Sequence, residues 1–158
     1  MIQLDSSNSY VSLIDANGYF TNQLGAEAWT SADEDTRAKA LVSATGILEE
    51  LSYSGRVMDV AQVLAWPRVS QYFDPRSGRL QVTTADVVPN RVKFACYEQA
   101  LHILQNPDIL QAGPNVENVG VSGISITNIR PAPRIPMRVK NFLKPLLVNG
   151  TQNWFRAN

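Results

Sequence analysis

Residues 89–107 read "PNRVKFACYEQALHILQNP". Pro89 suits the first helical position, and Asn106-Pro107 closes the run. Phe94, Tyr97, Leu101 and Leu104 recur at helical spacing along one stripe. Val92, Cys96, Ala100 and Ile103 form a second stripe beside it. An apolar face that wide predicts a helix packed on more than one side, the central helix of a bundle.

Two further helices read upstream. "SLIDANGYFTNQLG", residues 12–25, opens on a capping-box-like Ser12/Asp15 pair, repeats Leu13, Ala16, Phe20 and Leu24, and stops at Gly25. "SADEDTRAKALVSATGILEELSY", residues 31–53, pairs Ser31 with Glu34 in the same way. Its Leu41, Ala44, Leu48 and Leu51 make a core stripe. Asp33, Glu34 and Asp35 stand where the helix dipole favours anions, so helix electrostatics accounts for the acidic cluster without a metal.

Between the second helix and the central one lies "QVLAWPR", residues 62–68, with Trp66, Pro67 and Arg68 side by side. An indole next to a guanidinium can stack on a base and hold a phosphate. It can equally be a structural corner, with the indole in the core, Pro67 stopping the turn and Arg68 meeting a nearby acid or carbonyl. We read it as the corner, because one "WPR" is a single aromatic site and single-strand binders offer several along a basic groove. "RVSQYFDPRSGRLQV", residues 68–82, follows as a hairpin turning at Asp74-Pro75-Arg76-Ser77-Gly78.

Downstream of the central helix, Val119, Val121, Ile124, Ile126 and Ile129 alternate, with a slip near Gly123 that reads as a bulge. A strand of that length needs a partner, either the hairpin or a neighbouring subunit. "RPAPRIP", residues 130–136, breaks regular structure and reads as extended and stiff. A short helix over "MRVKNFLKPLL", residues 137–147, comes next, with Pro145 kinking or ending it. The chain ends on Trp154-Phe155-Arg156 and a short remainder. The fold class expected is therefore mainly α: a bundle of three to four helices with a β-hairpin or strand element and an extended C-terminal arm. The division expected is 1–129 for the bundle and 130–158 for linker, short helix and arm.

Composition narrows the function. The 158 residues are 44% apolar with three Trp, five Tyr and five Phe, enough for one domain with a real core. One cysteine, Cys96, and one histidine, His102, stand six apart on the central helix and point to different faces. That argues against an internal disulfide, a Cys-rich zinc site and a Cys/His nucleophile. Phosphate-loop, dinucleotide-fold, zinc-protease and nucleophile-elbow motifs are missing, so neither an enzyme nor a bound cofactor or metal is expected. The N-terminus does not read as a secretory signal, and no apolar run suits a membrane span, which fits a reducing cytoplasm and no membrane partner. The zero net charge hides an asymmetry. Residues 1–54 hold eight acids and two bases, residues 55–158 twelve bases and six acids, and no acid follows Arg130. Opposed ends can pair within one subunit, join neighbouring copies, or leave the basic end for nucleic acid.

"SYVSLIDANGYF" at 9–20, "ALVSATGILEEL", "LAWPR" at 64–68, "VPNRVKFACYEQALHIL" at 88–104, the following GIS-type strand and the short C-terminal helix together resemble the head–tail connector (adaptor) proteins of tailed phages. Many members of that family carry a DnaT-like single-stranded DNA-binding label. The resemblance spans roughly residues 9–147. It implies a structural virion protein, made in the host cytoplasm, forming a ring, typically twelvefold, around packaged DNA. The ring would dock on the portal protein and link it to the next neck or tail component. The stiff linker would then carry a portal-binding arm comprising Arg134, Arg138, Phe142, Lys144, Trp154, Phe155 and Arg156. Val119, Val121, Ile124 and Ile126 would make an inter-subunit strand. The alternative is a single-stranded DNA-binding protein. Both readings use the basic C-terminal segment.

Overall fold

The computed structural model describes residues 2–83, 87–111, 120–121, 124–125 and 132–148, the two short pieces by their backbone alone. Two sixteen-residue helices form its centre: α3, Glu34–Glu49, and α4, Asn90–Gln105. They pack against each other along Leu41, Ala44 and Leu48 on one side and Val92, Cys96 and Ala100 on the other, all fully buried. The small residues in both stripes let the helices approach closely. Pro89 is the N-cap of α4, one position earlier than its expected place inside the helix. The cap of α3 is Asp33, whose Oδ1 accepts the Thr36 N–H at 2.8 Å, so the expected Ser31/Glu34 box is displaced by two residues.

Helix α1, Leu13–Thr21, begins at Ser12, whose hydroxyl accepts the Asp15 N–H at 3.1 Å. Ala16 and Phe20 enter the core, but α1 ends four residues before Gly25, and Leu24 is fully exposed. The apolar repeat in the sequence therefore overruns the helix by one turn. A short helix that sequence reading misses, α2 at Glu27–Ser31, buries Trp29 against Phe20, with ring centroids 4.6 Å apart. Arg37 from α3 covers the end of α2 by donating to the Trp29 and Thr30 carbonyls, each at 2.9 Å.

The expected C-terminal helix is present as α5, Met137–Leu143, with a 3-10 turn at Lys144–Leu146 where Pro145 ends the α-helical pattern. What differs is its direction. It folds back onto α4 rather than projecting, and Val139, Leu143 and Leu146 are fully buried in the same core as α3 and α4. Residues 137–147 thus belong to the bundle that residues 1–129 were expected to form alone. The linker before α5 is tied down by α4. Gln99 Nε2 donates to the Arg134 carbonyl at 2.9 Å, and His102 Nε2 lies 2.7 Å from the Pro133 carbonyl.

Three two-stranded antiparallel pairs complete the described residues. Strand β1, Arg56–Val57, pairs with β2, Arg68–Val69, bracketing the irregular loop that holds Trp66. Strands β3, Gln71–Asp74, and β4, Arg79–Val82, form the expected hairpin, with Gly78 at φ 63° in its turn. Strands β5, Gly120–Val121, and β6, Ile124–Ser125, pair with each other, Val121 opposite Ile124. The long bulged strand expected across this stretch is therefore two short strands running in opposite directions. Val119 and Ile126 lie outside the described residues.

The Trp66–Arg68 corner is held by the half-buried Glu49 carboxylate at the end of α3. Both Glu49 oxygens accept the Ala65 N–H, at 2.9 and 3.0 Å, and Glu49 Oε1 also accepts the Tyr10 hydroxyl. Trp66 is 2% exposed and meets Tyr53 edge-on at 5.5 Å. Its indole N–H has no hydrogen-bond partner among the described residues, so packing holds it. Arg68 donates to the carbonyls of Ser54 at 3.1 Å, Gly55 at 2.9 Å, Ala65 at 3.3 Å and Tyr53 at 3.4 Å. The backbone at Gly55 comes so close to β2 that a Cβ there would run into the Val69 carbonyl oxygen.

Two outcomes follow for this corner. Trp66→Ala should lower unfolding free energy by about 3–5 kcal/mol, while Trp66→Phe should recover most of it because the indole N–H makes no hydrogen bond to begin with. Urea unfolding of both variants checks this, and equal destabilisation would contradict it. Burial pushes the Glu49 carboxyl above its ordinary range, and the Ala65 N–H and the Arg68 charge pull it partly back. A raised folded-state value means the folded chain holds this proton more tightly than the unfolded one. The contribution of Glu49 is fully present below the ordinary glutamate range and is lost as pH rises through the raised value. The stability of wild type relative to Glu49→Gln should therefore improve from neutral pH down towards pH 4.5, the ordinary value. A difference that is flat with pH would refute the burial argument.

Candidate nucleic-acid interface

The β3–β4 hairpin owes its two faces to the period-two alternation of strands. Ser70 and Asp74 turn inward and are 5% exposed, so polar residues occupy the buried phase. Each is satisfied non-locally. The Ser70 N–H donates to Thr83 Oγ1 at 2.8 Å, and Asp74 Oδ1 accepts from Arg91 on α4 at 2.5 Å. Arg91 thereby holds the Asp74 carboxyl below the usual carboxylate range. The opposite phase is apolar and faces outward: Phe73 is 59% exposed, its cross-strand neighbour Leu80 62%, and Val82 59%. Arg76 in the turn and Arg79 at the start of β4 are both exposed at the turn end of the hairpin, Arg79 opposite Asp74 and so on the other phase from Phe73. An exposed aromatic on a hairpin with guanidiniums at its turn end offers a stacking surface with charge nearby for a phosphate chain.

Behind the hairpin, its inner face, helix α4 and Phe142 of α5 line an open groove of about 500 Å³. Phe94 and Phe142, with centroids 5.8 Å apart, lie along it. Arg91 sits over the Tyr72 ring at 6.0 Å, held there by Asp74. Arg76 lies at the end of the groove, 3.8 Å from Asp74 with its side chain 80% exposed.

The residues singled out from sequence fall elsewhere. Trp66 presents no face to solvent, and Arg68 spends its guanidinium on backbone carbonyls of the chain itself. Arg134 bonds Glu50 at 2.5 Å, joining the basic and acidic halves within one subunit. Arg138 bonds Glu98 at 3.0 Å, and Glu98 also accepts the Tyr19 hydroxyl at 2.6 Å. Phe142 packs on Phe94, and Lys144 is exposed. Trp154, Phe155 and Arg156 lie outside the described residues. Cys96 is fully buried beside Thr45, and burial pushes its thiol up to about 12, so at neutral pH it stays protonated. Among the described residues no cluster of His, Cys, Asp and Glu could hold a metal, and no helix is long and apolar enough to cross a membrane.

Sequence reading places Phe73, Arg76, Arg79, Tyr72 and Arg91 in the hairpin and the central helix and gives them no role. The signal that points to them is the alternation itself: Phe73, Leu80 and Val82 share one phase, and a basic turn joins their strands.

One family model matches residues 2–158, and its family is described as "Putative DnaT-like ssDNA binding protein". No curated protein and no solved structure matches the chain. The family match overturns the expected head–tail connector role and agrees with the alternative reading. With the match running over residues 2–158, this chain belongs to the family so described.

Proposed function

We propose that this protein binds single-stranded DNA through the β3–β4 hairpin, with bases stacking on Phe73 and phosphates meeting Arg76 and Arg79. The observation that carries the reading is the outward Phe73, 59% exposed beside the exposed Leu80, on a hairpin whose turn end carries the exposed Arg76 and Arg79. A solvent-facing aromatic at such a position forgoes the burial that normally retains it. A base face restores that burial, and every base has one, so the binding is tolerant of sequence. The net charge of zero gives the chain no global attraction for a polyanion. Affinity must then come from local stacking and a few phosphate contacts, with a shallow salt dependence.

Anisotropy of a labelled oligothymidylate tests this. Phe73→Ala should weaken binding by about 1–3 kcal/mol, the range for one stacked base. The melting temperature should stay close to wild type, because the ring is largely solvated already. Replacing Arg76 and Arg79 by Ala should flatten the slope of log affinity against log salt by about 0.7 for each phosphate that is no longer neutralised. Wild-type affinity in the Phe73→Ala variant would move the strand off the hairpin.

A further inference from the structure

We infer that the groove behind the hairpin is a pocket for one unstacked nucleotide, its base over the Tyr72, Phe94 and Phe142 rings and its phosphate at Arg76. The inference rests on the reading of the hairpin as the strand-binding element. Tyr72 and Phe73 are consecutive, so the pleat sends them to opposite faces of the same strand. A DNA strand rounding the turn can meet Phe73 outside and reach Tyr72 inside. The two sides differ. Outside, the surface is open and successive bases can stack. Inside, α4 and α5 form a wall. A volume of about 500 Å³ lies within the range of small-molecule pockets, so it suits a single nucleotide rather than a run.

The charges fit the same occupant. Asp74 would repel a phosphate if it stood alone. It is instead bonded to Arg91 at 2.5 Å and lies 3.8 Å from Arg76, so the three groups together carry one positive charge. Arg91 is 14% exposed and pinned over Tyr72, which rigidifies the aromatic floor. Arg76, with its side chain 80% exposed and only loosely placed against Asp74, can turn to the ligand. Asn90 lies exposed on the groove lining, where its amide offers both donor and acceptor to a base edge.

The test is an amide-resolved NMR titration of the whole protein with dAMP, adenosine and inorganic phosphate in separate series. Saturable shifts at Tyr72, Asn90 and Arg91 are expected with dAMP, with adenosine and phosphate each binding about tenfold more weakly, since each lacks either the phosphate or the stacking base. Val87 lies on the groove lining and is 55% exposed, so Val87→Trp can obstruct the pocket without disturbing the core. That variant and Arg76→Ala should each weaken dAMP about tenfold, whereas Phe73→Ala should leave it unchanged. Absence of saturable shifts, phosphate alone reproducing them, or insensitivity to both groove variants would overturn the pocket. Oligothymidylate binding without any dAMP response would remove the pocket and leave the strand reading intact. A dAMP response without oligothymidylate binding would support the pocket and remove the strand reading.

Discussion

The geometry of this protein turns on the Glu49 carboxylate. Even a half-buried carboxylate such as this one loses hydration that hydrogen bonds to its oxygens must make good. Here Ala65 donates from the corner loop and Tyr10 from the N-terminal segment. One group at the end of α3 thereby joins two stretches distant in sequence. Arg68, three residues beyond Ala65, is fastened to the backbone at 53–55 and 65. Because β2 begins at Arg68 and β3 starts three residues later, the direction in which the hairpin leaves the bundle is set at this corner. Trp66 fills the space beneath it. The side chains that look most like a nucleic-acid reader in the sequence are those that anchor the element carrying the exposed aromatic.

The hairpin is in turn braced from its other end. Asp74 and Arg91 link β3 to the first turn of α4, and Thr83 bonds back to the carbonyls of Arg68 and Ser70. Strand β3 is thus tied to α4, and the end of β4 to the segment entering β3, through inward polar residues, leaving Phe73, Leu80 and Val82 uncovered. Such an arrangement exposes Phe73, Leu80 and Val82 to water at a cost and suits a surface that is covered when a ligand binds. Helix α5 completes the arrangement. By folding onto α4 it supplies Phe142 to the groove behind the hairpin.

Legibility in the sequence follows the range of the forces involved. Helix α4 is readable because two adjacent stripes of apolar residues are a local, periodic signal. The Ser12 cap and the turn around Gly78 are readable for the same reason. Helix α2 is not, since five residues with no side-chain cap leave no signal beyond Trp29 itself. The hairpin's phase is visible but its orientation is not. Which face is buried depends on Thr83 and Arg91 satisfying Ser70 and Asp74, and those partners lie 13 and 17 residues away. The direction of α5 is hidden because prolines in "RPAPRIP" report local stiffness and say nothing of the contacts from Gln99 and His102 that hold the linker to α4. The candidate interface is hidden in the sequence because a phenylalanine in a strand is ordinarily read as core.

The central claim, that a single strand lies on the hairpin, is most directly tested by photo-cross-linking an oligonucleotide carrying 5-iododeoxyuridine and mapping the adduct by mass spectrometry. Trypsin cuts after Arg68 and Arg76, so residues 69–76, with Tyr72 and Phe73, form one peptide. The principal adduct is expected on that peptide, abolished when an excess of unlabelled single strand competes. An adduct confined to any other peptide, with 69–76 unmodified, would contradict it.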